Sequence, residues 1–327
     1  MIDRRPTPVG VTLLLIALLA AVVFPFWAEG ANPYRLQQAR AVLLLAILAL
    51  SWDLLARTGQ LSLAHAAFYG LGSYTSVLAV KFLGLAPLVG ILLGGLGALL
   101  VAVPLGLVML RLHGIYFAIG TLAFSQTLRI AANQLPFTGG PAGLVTVPLF
   151  GGRTTFQYLF LLGVLVVLMG LSWLVQASRW HYAFVAIRTN EAVARVLGVP
   201  VVRYKVAAFG CSAFFAGVCG ATYAHAFLFI SPLESFTLSV SVASLVAPIF
   251  GGLYSTAGPV LGAVLLRGGE EVLRESLGAG YPILYGLLLA VAVLFLPGGI
   301  VGLWGRKGRQ RGVPTDRPLP QDVQAQA

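Results

Sequence analysis

FLGLAPLVGILLGGLGALLVAVPLGLVML, residues 82–110, holds no charge over the 29 positions between Lys81 and Arg111. A membrane helix needs roughly 20 apolar residues, so this run is long enough to cross a bilayer. Its apolar and polar residues do not alternate, as the strands of a membrane barrel would require. Helix is the remaining solution that satisfies every backbone group in lipid. The pattern recurs outward along the chain. Lys205 and Glu234 bracket 28 uncharged residues, Glu234 and Arg267 bracket 32, and Glu275 and Arg306 bracket 30. Of the 327 residues 58% are hydrophobic and 9% charged, against about 25% charged in soluble domains. So few charges cannot clothe a water-soluble surface, and the mean hydropathy of +0.92 agrees.

The net charge of +11 does not point to nucleic acid. Basic residues cluster at short loops and are not interleaved with aromatics on a polar face. Arg4 and Arg5 precede an apolar run from Val9 to Trp27 that resembles a secretory signal. Because the rest of the chain is also membranous, the run reads as a first spanning helix, and a soluble export product is excluded. Cys211 and Cys219 lie eight apart within an apolar stretch and read as small packing residues.

The spacing predicts an all-α polytopic membrane protein of about ten transmembrane helices (eight to ten). The expected segments are 9–28, 41–56, 65–82, 86–110, 114–132, 155–178, 205–226, 236–253, 256–274 and 281–302. The pair between Glu234 and Arg274 is tight enough for one member to be re-entrant. Ten crossings put both termini on one side. That side takes 14 of the 21 Lys and Arg residues, so both termini are expected in the cytoplasm. Residues 1–305 then form the membrane domain. Residues 306–327 are a polar tail, expected to be disordered, whose first basic residues suit anionic headgroups. The Gly- and Pro-rich stretch 133–154 is an external loop or a broken helix lining a cavity.

The long cytoplasmic loop, 179–204, carries the sharpest signal. Asn190 is a good helix N-cap. Glu191 suits the first turn of the helix that follows, and Gly198 with Pro200 ends it. Val193, Val196 and Leu197 fall on one face, and Glu191 and Arg195, four apart, can pair on the other. A short amphipathic helix held between two spans either lies in the membrane surface or presses its apolar face into a partner's groove.

AIRTNEAVARVLGV, 186–199, resembles the loop by which ABC importer permeases dock onto their ATPase. Further matches are TGQLSLAHAAFYGLGSYT at 58–75, HGIYFAIGTLAFSQTLRI at 113–130 and TGGPAGL at 138–144. FGGLYSTAGPVLGA at 250–263 and YGLLLAVAVLFLPGGIVGL at 285–303 complete the set. In this order the chain is similar, over about 41–305, to LivM-type permeases of branched-chain amino acid importers. The resemblance implies an inner-membrane, non-enzymatic subunit beside a second, LivH-like permease. Two cytoplasmic ATPase subunits carry ATP and Mg, and an extracytoplasmic binding protein delivers substrate. The family's substrates are branched-chain or other small amino acids, urea or short amides. The coupling residues it implies are Arg188, Asn190, Glu191, Ala192, Val193, Arg195, Val196, Leu197 and Gly198. This chain departs where the family usually has Asn and Gly near the end of the second helix. It has Asp53 and Arg57, four apart and suited to an intrahelical ion pair. None of Lys81, Lys205 and Lys307 sits in the Gly-Lys-Ser/Thr context of a phosphate loop, so no cofactor is expected on this chain.

Gly59, Gln60, Ser62 and His65 follow the second segment at an expected helix break. Such breaks in membranes line cavities or pack against protein, so the run is either pathway lining or an ordinary turn hinged at Gly59. His65 and His225 read equally well as packing residues, and no cluster has metal-ligand spacing. Gly251, Gly252, Ser255 and Gly258 suit a tight helix–helix turn, as do Gly139 and Gly140 the loop before it. Arg267 with Glu271, and Glu270 with Arg274, are expected to pair at a membrane boundary. Two rivals remain. An ion-coupled transporter needs carboxylates inside spans, and only Asp53 qualifies. A membrane-embedded enzyme needs a paired acid and nucleophile or a metal set, and neither is visible.

Overall fold

The computed structural model describes residues 19–28 and 32–280, with positions 283, 284, 286, 299 and 300 beyond them. The start of the first expected segment, nearly all of the tenth and the 306–327 tail lie outside the described residues. The helices are α1 (Leu19–Ala28), α2 (Pro33–Ala56), α3 (His65–Leu83), α4 (Pro87–Met109), α5 (Ile115–Gln134) and α6 (Thr154–Ala177). They continue as α7 (Arg179–Thr189), α8 (Glu191–Val196), α9 (Val201–Phe227), α10 (Pro232–Ser235), α11 (Leu238–Gly251) and α12 (Ala257–Leu277). Two short strands, β1 (Leu144–Val145) and β2 (Phe229–Ile230), pair antiparallel.

Among the described residues six stretches are long and apolar enough to cross a membrane, fewer than the expected ten. They are Tyr34–Ala56, Pro87–Met109, Ile115–Gln134, Thr154–Ala177, Val201–Phe227 and Pro232–Gly251. Of the four others expected, the first and the tenth lie partly or almost wholly outside the described residues, and the remaining two fall short for physical reasons. Helix α3 is diluted by Ser73, Thr75, Ser76 and Lys81, and α12 carries Arg267, Glu270, Glu271, Arg274 and Glu275. Yet α12 runs the length of α2. Thr256 before its start meets Ser172 near the end of α6, and Glu271 near its far end meets Tyr34 and Gln38 in the first turns of α2. The second segment also starts earlier than expected. Asn32 caps α2 by accepting from the Tyr34 amide, so Arg35 and Arg40 lie within the helix.

The centre is the packing of α3, α4 and α9. Their backbones touch because small residues line the contact. A Cβ on Gly72 would lie 2.1 Å from the Gly217 carbonyl oxygen, and one on Gly220 would lie 2.0 Å from that of Tyr69. The middle of helix α2, residues 41–50, is apolar all round, and the helix buries Ile47, Leu50, Trp52 and Leu55, as a helix enclosed by others should. It is surrounded by α6, α9, α11 and α12. By contrast α4 and α6 turn Leu100, Val108, Val167 and Leu174 outward. Cys219 is buried against the Leu44 carbonyl, as expected of a packing thiol, and Cys211 is half-buried.

Of the two expectations for 133–154, an external loop or a broken helix lining a cavity, the shape between α5 and α6 is that of a loop. It forms three 3-10 turns and β1, and β1 joins β2 after α9 to cap the molecule at the end opposite α8. His225, in the last turn of α9, pins this cap. Its ring meets Ser76 of α3, Thr146 and the Val147 carbonyl. Beneath the cap Phe236 stacks on Tyr74, leaving no room for a side chain at Gly70. Helix α11 then returns toward the α8 end and doubles back as α12. Gly251, Gly258 and Gly262 let these two helices close on each other, as the small residues suggest.

Candidate functional site: the coupling loop and its anchor

Asn190 Oδ1 accepts from the amides of Ala192 and Val193, at 3.0 and 3.2 Å, and so starts α8 as the cap chemistry predicts. The helix ends in a paired closing motif. Gly198 donates to the Arg195 carbonyl and Val199 to that of Ala194, each at 3.0 Å. Gly198 has φ +81°, in the left-handed region that an L side chain enters only with strain. The expected loop 179–204 holds a second helix ahead of α8. This helix, α7, is capped by Ser178 and packed through Trp180 and Phe184 on Tyr204 of α9.

Within α8 only Ala194 turns inward, against Ile187 and Val201. Val193, Val196 and Leu197 are 52%, 88% and 72% exposed. The expected apolar face therefore exists and meets nothing in this chain. Glu191 does form the expected pair with Arg195. It also bonds Lys205 Nζ at 2.5 Å and lies 3.7 Å from His113. Lys205 is a buried side chain in the first turns of α9. Burial pushes the Glu191 carboxyl up, but the hydrogen bonds and attraction of Lys205 and then Arg195 outweigh it and hold the group below its usual range. One carboxylate thus ties α8 to α9 and brings the turn before α5 within reach.

A second polar cluster lies beneath. Asp53 and Arg57 form the expected i,i+4 pair at 2.9 Å, and both are buried. Arg57 also donates to the Ser172 carbonyl and hydroxyl, at 3.2 and 2.8 Å. Asp53 accepts from the Tyr254 amide at 2.6 Å, and the Tyr254 ring carries the Arg188 guanidinium 3.8 Å from its centroid. Sequence spacing could not reveal Lys205 or Tyr254, because each meets its partner only across the fold.

Gly59, Gln60, Ser62 and His65 do sit at a helix break, and Gly59 turns it with φ +83°. The break is tightly packed. Trp52 Nε1 donates to the Ser62 carbonyl, Ser62 Oγ accepts from the Ala64 amide, and Ser241 Oγ bridges the Leu63 carbonyl and Ala66 amide. His65 Nε2 meets Ser212 at 3.0 Å, while its buried Nδ1 has no partner. Gln60, Ser62 and His65 are buried, whereas Gly59 and Leu61 reach the surface. At the opposite end the expected pairings of Arg267 with Glu271 and Glu270 with Arg274 are replaced. Arg267 pairs with Glu270 at 2.9 Å, because Glu271 is drawn to Tyr34 and Gln38 of α2.

A polytopic helical protein with a capped, apolar-faced helix outside its membrane bundle is built as a transport permease. Residues 34–302 match the family described as branched-chain amino acid transport system, permease component, and the chain belongs to that family. It is 32% identical to the high-affinity branched-chain amino acid transport system permease protein LivM of Escherichia coli K12, over 88% of this chain and 74% of that one. The same figures hold for LivM of Salmonella typhimurium. Similarity to the permease protein LivH of Escherichia coli K12 is 24% over 75% of this chain and 86% of that one. No solved structure matches. The chain is thus a permease subunit of an ABC importer complex and an integral inner-membrane protein.

Proposed function

We propose that this chain carries branched-chain amino acids inward as the LivM-like half of a permease pair. A LivH-like permease is the other half. Two ATPase subunits sit beneath, and an extracytoplasmic binding protein delivers substrate. Both termini and the 179–204 loop face the cytoplasm. ATP and Mg are held by the ATPases, and this chain binds no cofactor and catalyses no reaction. The substrate class rests on the LivM and LivH relatives; urea or short amides are the alternative cargo. The turn at Gly59–His65 borders the path, with Gly59 and Leu61 its surface positions.

The observation that carries this reading is the exposed trio Val193, Val196 and Leu197 on a helix capped at both ends and anchored by Glu191. A short amphipathic helix with three apolar anchors suits a groove in a partner protein. Ion coupling is disfavoured because Asp53, the candidate carboxylate, is already neutralised by Arg57. The test is co-purification of the ATPases with the V196D/L197D double variant. Both positions are solvent-facing, so the variant should insert and fold normally. Loss of at least about tenfold in bound ATPase is expected, since each buried apolar side chain contributes roughly 1.5–3 kcal/mol. Retention of full ATPase binding would sink the docking assignment. Uptake of labelled leucine, isoleucine or valine against urea decides the cargo.

A further inference from the structure

Arg188 stands in the last turn of α7, two residues before the cap of α8. Its guanidinium lies over the Tyr254 ring, the geometry in which a cation is drawn to an aromatic face. Tyr254 occupies the α11–α12 turn with φ +63°. A bulky residue is held there only when its surroundings over-determine the backbone. Here they do. The Tyr254 amide donates to Asp53 at 2.6 Å, and its carbonyl accepts from Gln176 of α6 at 3.3 Å. Asp53 in turn holds Arg57, which grips Ser172, and the Ser172 hydroxyl meets Thr256 at 2.7 Å. The chain of contacts therefore runs from the last turn of α7, two residues before the cap of the docking helix, into α2, α6 and the α11–α12 turn.

The first turns of α7 pack on Tyr204 of α9 and border a cavity. This apolar cavity of about 360 Å³, lined by Leu54, Leu171, Trp180, Phe184 and Cys211 among others, separates α7 from α2 and α6. Near Arg188 the packing is close, since a Cβ on Gly59 would lie 3.3 Å from the Arg188 Cα. The tight, polar end of α7 is thus the end next to α8.

We propose that Tyr254 is a positioning residue that passes displacement of the docking helix, through Arg188, to the buried Asp53–Arg57 pair and so to the membrane helices. Buried charges resist stretching, because separating them leaves each desolvated and unpaired. The pair therefore acts as a stiff link between α2, α6 and the turn, and the Arg188–Tyr254 contact attaches that link to α7. Neither Tyr254 nor Arg188 contacts substrate in this role.

This inference rests on the importer reading, and the experiment separates the two. The full complex is reconstituted in lipid with its ATPases, second permease and binding protein. ATP hydrolysis is measured with empty and with substrate-loaded binding protein, alongside uptake and subunit stoichiometry. A wild-type complex with neither stimulated hydrolysis nor uptake overturns the importer reading itself. With wild type active, Y254L should assemble at normal stoichiometry but lose stimulation by about fivefold or more, the scale of a typical coupling between sites. Y254F keeps the ring and should restore stimulation. R188Q should reproduce the loss, and R188Q/Y254L should be no worse than either alone. Wild-type stimulation in Y254L or in R188Q overturns the proposal. Should Y254L fail to assemble, R188Q decides, because Arg188 is only half-buried and its neutral replacement leaves the Asp53–Tyr254 amide bond in place.

Discussion

Glu191 shows how much one side chain can organise. It was expected to pair with Arg195 on an exposed face, a contact worth a few tenths of a kcal/mol. Its stronger partner is buried Lys205, and hydrogen bonds to charged groups contribute roughly 1.5–3 kcal/mol. E191Q should cost about 2 kcal/mol locally, read as faster amide exchange over 191–198 with exchange in α3 and α4 unchanged. The same bond sets a pH dependence. The folded Glu191 carboxyl titrates below its unfolded value. Its stabilisation is therefore complete above the ordinary carboxylate range and is lost as pH falls through the depressed folded value. Protection of the α8 amides, corrected for the intrinsic pH dependence of exchange, should stay flat from neutral pH down to about 5 and fall only below the usual carboxylate range.

Helices here are held by two kinds of contact. The α3–α4–α9 core depends on backbone approach at glycine. G72L would push a side chain into the Gly217 backbone, where neither element can yield without parting. Overpacking costs typically 1–3 kcal/mol and more against backbone. The variant should therefore show a Tm several degrees lower in detergent, whereas G163L, on an open face of α6, should match wild type. Equal melting of the two would refute the close-packed core. Helix α8 is instead tied by the Glu191–Lys205 pair, and α12 adds polar ties at both ends to its glycine contacts with α11. The amphipathic period in 190–198 was legible from sequence because capping and helical spacing are local. Helix α7 was not, because its RWHYAFVAIRT sequence lacks a clean polar face and is ordered by aromatic packing on Tyr204.

Across the whole molecule the two ends differ in kind. One end is closed by the β1–β2 cap pinned on His225, and the other presents α8 with its apolar face uncovered. Such polarity suits a protein loaded from one side and driven from the other. In vesicles from cells lacking the ATPases, V196C should be modified by a membrane-impermeant maleimide only when they are inside-out, and V145C in the cap only when they are right-side-out. Both positions are exposed and Cys219 is fully buried, while Cys211 is half-buried, so the test is run in a C211A background. Labelling of both sites from the same side would overturn the topology.

Apolar run length, cap residues and helical period are properties of neighbours along the chain. The sequence alone therefore determined that this is a helical membrane protein with a short capped helix at 190–198. Long-range partners were beyond it. That Lys205 leaves solvent for Glu191, that Glu271 abandons Arg267 for α2, and that Tyr254 joins Asp53 to Arg188 follow from which helices touch. Inside a membrane bundle that choice is made by backbone fit at small residues and by the high cost of an unpaired buried charge, and both are settled only when the helices meet.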